Sequence, residues 1–305
     1  MRRPRRHRTR TGLGAAVALL AVLALGGCEE GPKPTERQAG GPAPVPVVAS
    51  FYPLWEFARH VGGDRASVTS LVPPGVEPHD WEPSPQDVAA VRKARLFVYN
   101  GGGFEPAVDR LLRELGPATV AVAATAGIEP LDDPHVWLDP VLAQRQVDAI
   151  RAALARVDPP GAPRYAENAA AFTAKLAALD QAYRAGLASC ARRSLIVSHA
   201  AFTSLARRYG LKQIAITGMA PQSEPSPAEL ARIARLARAE SARYVFFETL
   251  VSGKLAETIA REIGAQTLVL NPLEGLTREE AAAGRDYLGL MRDNLAQLRT
   301  GLECR

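Results

Sequence analysis

Nowhere in its 305 residues does the chain carry the roughly 20 consecutive apolar residues that a membrane-spanning helix needs. Its one long uncharged stretch, 11–27, ends in Leu25-Gly26-Gly27-Cys28 with no positive flank to stop transfer. A net excess of positive charge is equally lacking beyond the start. Six of the 37 basic residues are Arg2, Arg3, Arg5, Arg6, Arg8 and Arg10, so the part from residue 28 onward keeps 31 basic against 32 acidic residues, a net of −1. The formal charge of +5 therefore gives no support to nucleic-acid binding. A cationic start, an uncharged middle and small residues before a cysteine have the layout of a secretory signal over 1–27. Cleavage before Cys28 would leave a lipid-bearing first residue, and 28–46, rich in proline, glycine and charge, reads as a tether. The expectation is an exported protein, anchored to a membrane by lipid on Cys28, at the cell surface or in the periplasm.

Cysteine is scarce as well. Setting Cys28 aside leaves Cys190 and Cys304, an even number in a chain read as leaving the cytoplasm, and a disulfide between them is expected. It would tie the last helix to the start of the second half.

What is present is enough apolar sequence for a large core, 47% hydrophobic against 23% charged. Short strand-like runs fall at 47–51, 67–72, 95–99 and 119–123, then at 195–198, 213–216, 243–247 and 267–270. Helix-length patterns lie between them at 85–94, 105–115, 140–157, 227–239 and 253–263. This alternation predicts an α/β fold with mainly parallel sheets covered by helices. Joining the two sets, 162–187 is rich in alanine and places Phe172, Leu176, Leu179 and Tyr183 three and four apart, which predicts one long helix. The expected organisation is an N-terminal α/β lobe at 47–160, a linking helix at 161–189 and a C-terminal α/β lobe at 190–305, with a cleft between lobes. No repeat at the level of sequence was evident, and a single larger doubly wound domain is the alternative. Nothing suggests oligomerisation, so a monomer is expected.

Histidine is rare enough to weigh one residue at a time: His7 belongs to the signal, and four of the five remain. His60 lies in a helical stretch and reads as a partner of its last turn. The other three are in loops. His79 follows a strand and a Pro-Pro-Gly loop, His135 stands just before a helix that Asp139 can cap and Pro140 can begin, and His199 comes directly after a strand. Ligands of open α/β sheets gather outside the carboxyl ends of strands, where His79 and His199 stand, one from each lobe. A neutral imidazole is the commonest transition-metal ligand, and three leave room for a fourth donor. Glu274 and Asn271 follow one strand and Glu248 ends another; a carboxylate balances the ion's charge where an amide cannot, so Asn271 ranks last. A zinc hydrolase would need a free general base such as Glu248 or Asp139, and neither occurs in a helix motif of the HExxH kind. Trp81 and Trp137 read as packing walls, and Gly101-Gly102-Gly103, which lacks the lysine and spacing of a phosphate loop, as a tight turn.

The segments EPHDWEPSPQD (77–87), DPHVWLDP (133–140), SHAAFTSLARRYGL (198–211), EPSPAEL (224–230), VFFE (245–248), LNPLEGLT (270–277) and DYLGLMRDNL (286–295) resemble those of the zinc and manganese solute-binding proteins of ABC transporters. The resemblance runs over nearly all of 47–304. It implies metal ligation by His79, His135, His199 and, from the LNPLE wording, Glu274; manganese-type members place an aspartate where this chain has Asn271. It implies two lobes joined by a long helix with small lobe movements, supports the Cys190–Cys304 bridge, and makes the protein a binding component, not an enzyme. The cargo implied is Zn²⁺, with Mn²⁺ or Fe²⁺ as the alternative, and the partner a membrane permease. One departure stands out. Many zinc members insert a long histidine-rich loop before the DPHVWLDP segment, whereas 124–133 here is short and contains no histidine.

Overall fold

The structure, a computed structural model, describes residues 43–219, 221 and 224–305. The signal at 1–27, Cys28 and the tether up to residue 42 lie outside the described residues.

Two four-stranded parallel sheets follow one another along the chain. The first contains β1 (Val45–Ala49), β2 (Ala66–Ser70), β3 (Leu96–Tyr99) and β4 (Val120–Ala123) in the order β2-β1-β3-β4. The second contains β5 (Ser194–Val197), β6 (Lys212–Ala215), β7 (Tyr244–Phe247) and β8 (Gln266–Val269) in the order β6-β5-β7-β8. The two orders are the same, so the lobes repeat one topology. Both sheets are wholly parallel, which requires a crossover after each strand and buries both faces.

The crossovers of the first lobe include α1 (Tyr52–Gly62), α2 (Pro85–Lys93) and α3 (Val108–Arg113), followed by α4 (Pro140–Val157). Those of the second include α6 (Thr203–Tyr209), α7 (Pro227–Ala239) and α8 (Lys254–Ile263), with α9 (Arg278–Ala282) and α10 (Tyr287–Gly301) at the end. Between the lobes runs α5 (Ala162–Gly186), a single 25-residue rod, about 37 Å long at 1.5 Å per residue. Its expected apolar stripe is in place: Phe172, Leu176, Leu179 and Tyr183 are all buried.

Helix starts follow local chemistry. Ser84 and Ser226 each accept a bond from the amide three residues on, and Asp87 and Glu229 bond back to the serine amides; a proline occupies the first turn in both. Two expectations shift. Folding begins at Val45 rather than 47, because Val45 and Pro46 already pair with Ala66 and Ser67, and a proline is tolerated at the start of a strand. The helix expected at 105–115 shortens to α3, because the Glu105 carboxylate turns back to accept from the Asn100 and Gly101 amides at 2.6 and 3.1 Å and from Ser50 Oγ at 2.7 Å. Those bonds fill the Gly101-Gly102-Gly103 turn from within. All three glycines have positive φ, and a Cβ on Gly102 would meet Leu131 at 2.7 Å.

The main core crosses from one lobe to the other, running from Phe51, Phe57 and Trp137 through Phe172 and Tyr183 to Phe246, Tyr287 and Leu298. Residues 43–305 accordingly form one compact unit. At the base of the second lobe Cys190 and Cys304 form a disulfide with sulfurs 1.96 Å apart, inside a short antiparallel pairing of the two backbone segments.

Candidate metal centre

The loops at the carboxyl ends of the strands face one another across the lobe interface, and four donor side chains meet there. His79 comes from the loop after β2, His135 from the loop after β4, His199 from the end of β5 and Glu274 from the loop after β8. Their ligand atoms all lie within 4.8 Å of one another. Glu274 Oε1 is the hub: it lies 3.0 Å from His135 Nε2, 3.1 Å from His199 Nε2 and 3.5 Å from His79 Nε2. For a tetrahedral zinc ion with bonds near 2.0–2.1 Å, neighbouring donors stand about 3.3 Å apart. The spacing to this oxygen fits that edge length.

Each donor is aimed by its surroundings. His135 Nδ1 lies 2.6 Å from Asp133 Oδ1 and His199 Nδ1 lies 2.6 Å from Glu248 Oε1, so both rings donate outward and present Nε2 to the centre. His79 packs edge-on against Phe104, and its backbone amide donates to Glu77 Oε1 at 3.2 Å. Glu274 follows Leu273, whose φ is +55°, a left-handed conformation that costs a branched residue of order 1–3 kcal/mol and turns the next side chain inward. That bend is held because Leu273 N donates to Asn271 Oδ1 while Asn294 grips Asn271 N and O at 2.9 and 2.6 Å. Asn271 thus serves the backbone of the loop and stands outside the cluster.

His135, His199 and Glu274 are fully or almost fully buried, and His79 is the partly exposed member. Phe51, Phe104 and Trp137 pack ring to ring behind them at 4.7–4.9 Å and exclude water. Trp137 also joins two donor loops, giving its indole N–H to Pro272 O at 2.8 Å. Among the buried side-chain atoms without a hydrogen-bond partner are His79 Nε2, His135 Nε2 and Glu274 Oε2, all at this centre. Unpaired buried donors and acceptors are costly, and a cation among them would satisfy them together.

The electrostatics point the same way. Burial alone would raise the Glu274 carboxyl, but the surrounding imidazoles hold it well below the usual range. Burial disfavours the charged form of His199, yet the carboxylates on its two nitrogens outweigh this and raise it to about 10; His135 is raised for the same reasons by Asp133 and Glu274. Glu77 is pushed up to about 9 by its burial and by the nearby Glu274 charge. Protons therefore occupy the metal-free centre.

Glu77 and Asp133 were not singled out in the sequence. The remaining candidates sit elsewhere. His60 stacks on Phe172 at 4.1 Å with Nε2 3.4 Å from Glu56, in the last turn of α1. Asp139 caps α4 and pairs with Arg208, so it is not a free base. Glu248 backs the His199 ring, and Trp81 is a half-buried wall of the first lobe.

The chain is 40% identical over 277 residues to the high-affinity zinc uptake system protein ZnuA of Bacillus subtilis, an alignment covering 84% of this chain and 87% of that protein. It is 38% identical over 304 residues to the zinc-binding lipoprotein AdcA of Streptococcus pneumoniae; that alignment covers 93% of this chain but only 59% of AdcA. The crystal structure of the Zn(II)-bound ZnuA-like domain of S. pneumoniae AdcA superposes with a TM-score of 0.77 at 40% identity, covering 86% of this chain and all of that domain. Residues 47–301 match the family model described as "ZnuA: Zinc-uptake complex component A periplasmic", and the chain belongs to that family.

Proposed function

We propose that this protein captures one divalent transition-metal ion, zinc, between its lobes and delivers it to the membrane permease of an ABC transporter. The observation that carries the reading is the convergence of three imidazole nitrogens on one buried carboxylate oxygen at 3.0–3.5 Å. His79, His135, His199 and Glu274 are the ligands in this reading, three nitrogens and one oxygen in the pattern of a closed tetrahedral zinc site. Manganese and iron favour more oxygen donors and higher coordination, and a bidentate Glu274 would supply only five contacts. The family's members named above are zinc-uptake and zinc-binding proteins rather than enzymes. Export and a lipid on Cys28 complete the reading, supported by the signal-like sequence and by a relative named as a lipoprotein.

The test is a competition titration of the metal-free protein with zinc, expected to give one ion per chain. Within it, Glu274→Gln is expected to weaken binding about 100-fold or more, and Glu248→Gln, which only reorients a ring, about 10-fold. The opposite order would move the fourth donor to Glu248.

Acidity provides an independent check. Because His199 holds its proton up to about 10 and His135 is raised too, zinc must displace protons at every lower pH. Affinity should therefore rise with pH and fall by roughly tenfold per unit of acidification for each proton displaced. Calorimetric enthalpies near neutral pH should depend on the ionisation heat of the buffer. An affinity unchanged between about pH 5 and 8 would contradict the assignment.

A further inference from the structure

Asp133 is 3% exposed and makes four hydrogen bonds that no single lobe contains. Its Oδ1 accepts from the His135 backbone amide at 2.9 Å and sits 2.6 Å from the His135 ring Nδ1. Its Oδ2 accepts from the backbone amides of Thr203 and Ser204, at 3.0 and 3.4 Å, in the first turn of α6 on the other lobe. That turn lacks a cap of its own, since Phe202 precedes it and offers no acceptor. Glu248, the corresponding partner of His199, belongs to the same lobe as the ring it holds.

We infer that Asp133 is a positioning residue that makes the retention of zinc depend on how α6 packs against the first lobe. The inference rests on the metal-binding reading above. A ligating ring keeps its angle and its tautomer through the acceptor on its far nitrogen, and loss of such an acceptor typically lowers metal affinity 10–100-fold. Here the acceptor is itself held by two amides of the opposite lobe. Displacement of α6 strips Oδ2 of both bonds and frees the carboxylate to turn. His135 then loses its aim while its own loop stays in place. A partner that shifts α6 thus loosens the ion without touching a ligand.

Asp133→Asn isolates this role, because the amide keeps an acceptor for the ring and sets an NH₂ group, rather than an acceptor, against the α6 amides. In the purified chain loaded with zinc, the dissociation rate measured by transfer to an excess of chelator is expected to rise 10–100-fold. With Co²⁺ in place of zinc, the visible absorption bands should change in position or intensity, a signature that general destabilisation does not produce. Arg164→Ala, which removes an exposed pair with Glu167 within α5, should leave both readouts within about twofold. If Asp133→Asn does not fold, Asp133→Glu, which keeps the charge and moves it, is subject to the same two measurements and the same expectation. An unchanged dissociation rate and an unchanged Co²⁺ spectrum would overturn the inference even if melting were lowered, while zinc binding by the unsubstituted chain would leave the functional reading intact. Failure of the unsubstituted chain to bind zinc would overturn both.

Discussion

Replacing His199 with alanine is expected to lower zinc affinity by about 100-fold or more, on a par with Glu274→Gln, and to destabilise the metal-free protein as well. The ring is fully buried and does two jobs at once, presenting Nε2 toward Glu274 at 3.1 Å and holding Glu248 through Nδ1 at 2.6 Å. Its removal takes away a proposed ligand and leaves two buried carboxylates without the group that separates and compensates them. Breaking such a buried arrangement costs roughly 3–5 kcal/mol, so the metal-free variant should also melt earlier than the parent. Competition against a chelator of known affinity gives the first quantity and thermal melting with and without zinc the second. An affinity within about threefold of the parent would place the metal elsewhere in the molecule.

The second large effect concerns stability and leaves the centre alone. Cys190 and Cys304 close a loop with a sequence separation of 114, and in the chain-entropy account a loop near 100 residues is stabilised by about 4.7 kcal/mol when cross-linked. Replacing both cysteines with serine is expected to cost roughly 3–5 kcal/mol and to lower Tm by roughly 10 °C. Zinc affinity should change by less than about threefold, because the bridge lies before β5 and His199 lies just beyond its other end. A double variant that melts with the parent would show that the backbone pairing around Cys190 suffices without the bond.

Much of this molecule is legible in its sequence because its signals are local. All eight strands lie within two residues of the runs read from β-branched and apolar clusters, and α4 and α7 begin and end as their caps and prolines indicate. The long helix was readable because 25 residues of helix-favouring sequence carry no competing signal. The internal repeat was legible and went unrecognised: Glu82-Pro83-Ser84-Pro85 and Glu224-Pro225-Ser226-Pro227 open α2 and α7, which follow β2 and β6 in identically ordered sheets.

The donors stood out for a different reason. Histidine is rare here, and three of the four beyond the signal lie in loops at or near strand ends. What could not be read is the layer behind them. Asp133 looks like any aspartate before a proline, and its significance comes from amides 70 and 71 residues away. Glu77 becomes unusual only when folding brings it beside Glu274. Trp137 reads as a wall and is one, but its bond to Pro272 spans 135 residues and has no trace in either segment alone. Local periodicity specifies elements; pairings across the lobe interface depend on how the elements dock.

The bridge between Cys190 and Cys304 also sets an order of events. For a chain that emerges from its N-terminus, every strand of the first lobe is available by residue 123 and its covering helix α4 by residue 157. The second lobe must wait, since α10 and the bridge use residues as late as 304. His135 is thus available before His199 and Glu274, but the Asp133 that aims it and the core around Phe57 still need α6 and Tyr287 of the second lobe. The centre is assembled last, when the second lobe docks and completes the core that both lobes share.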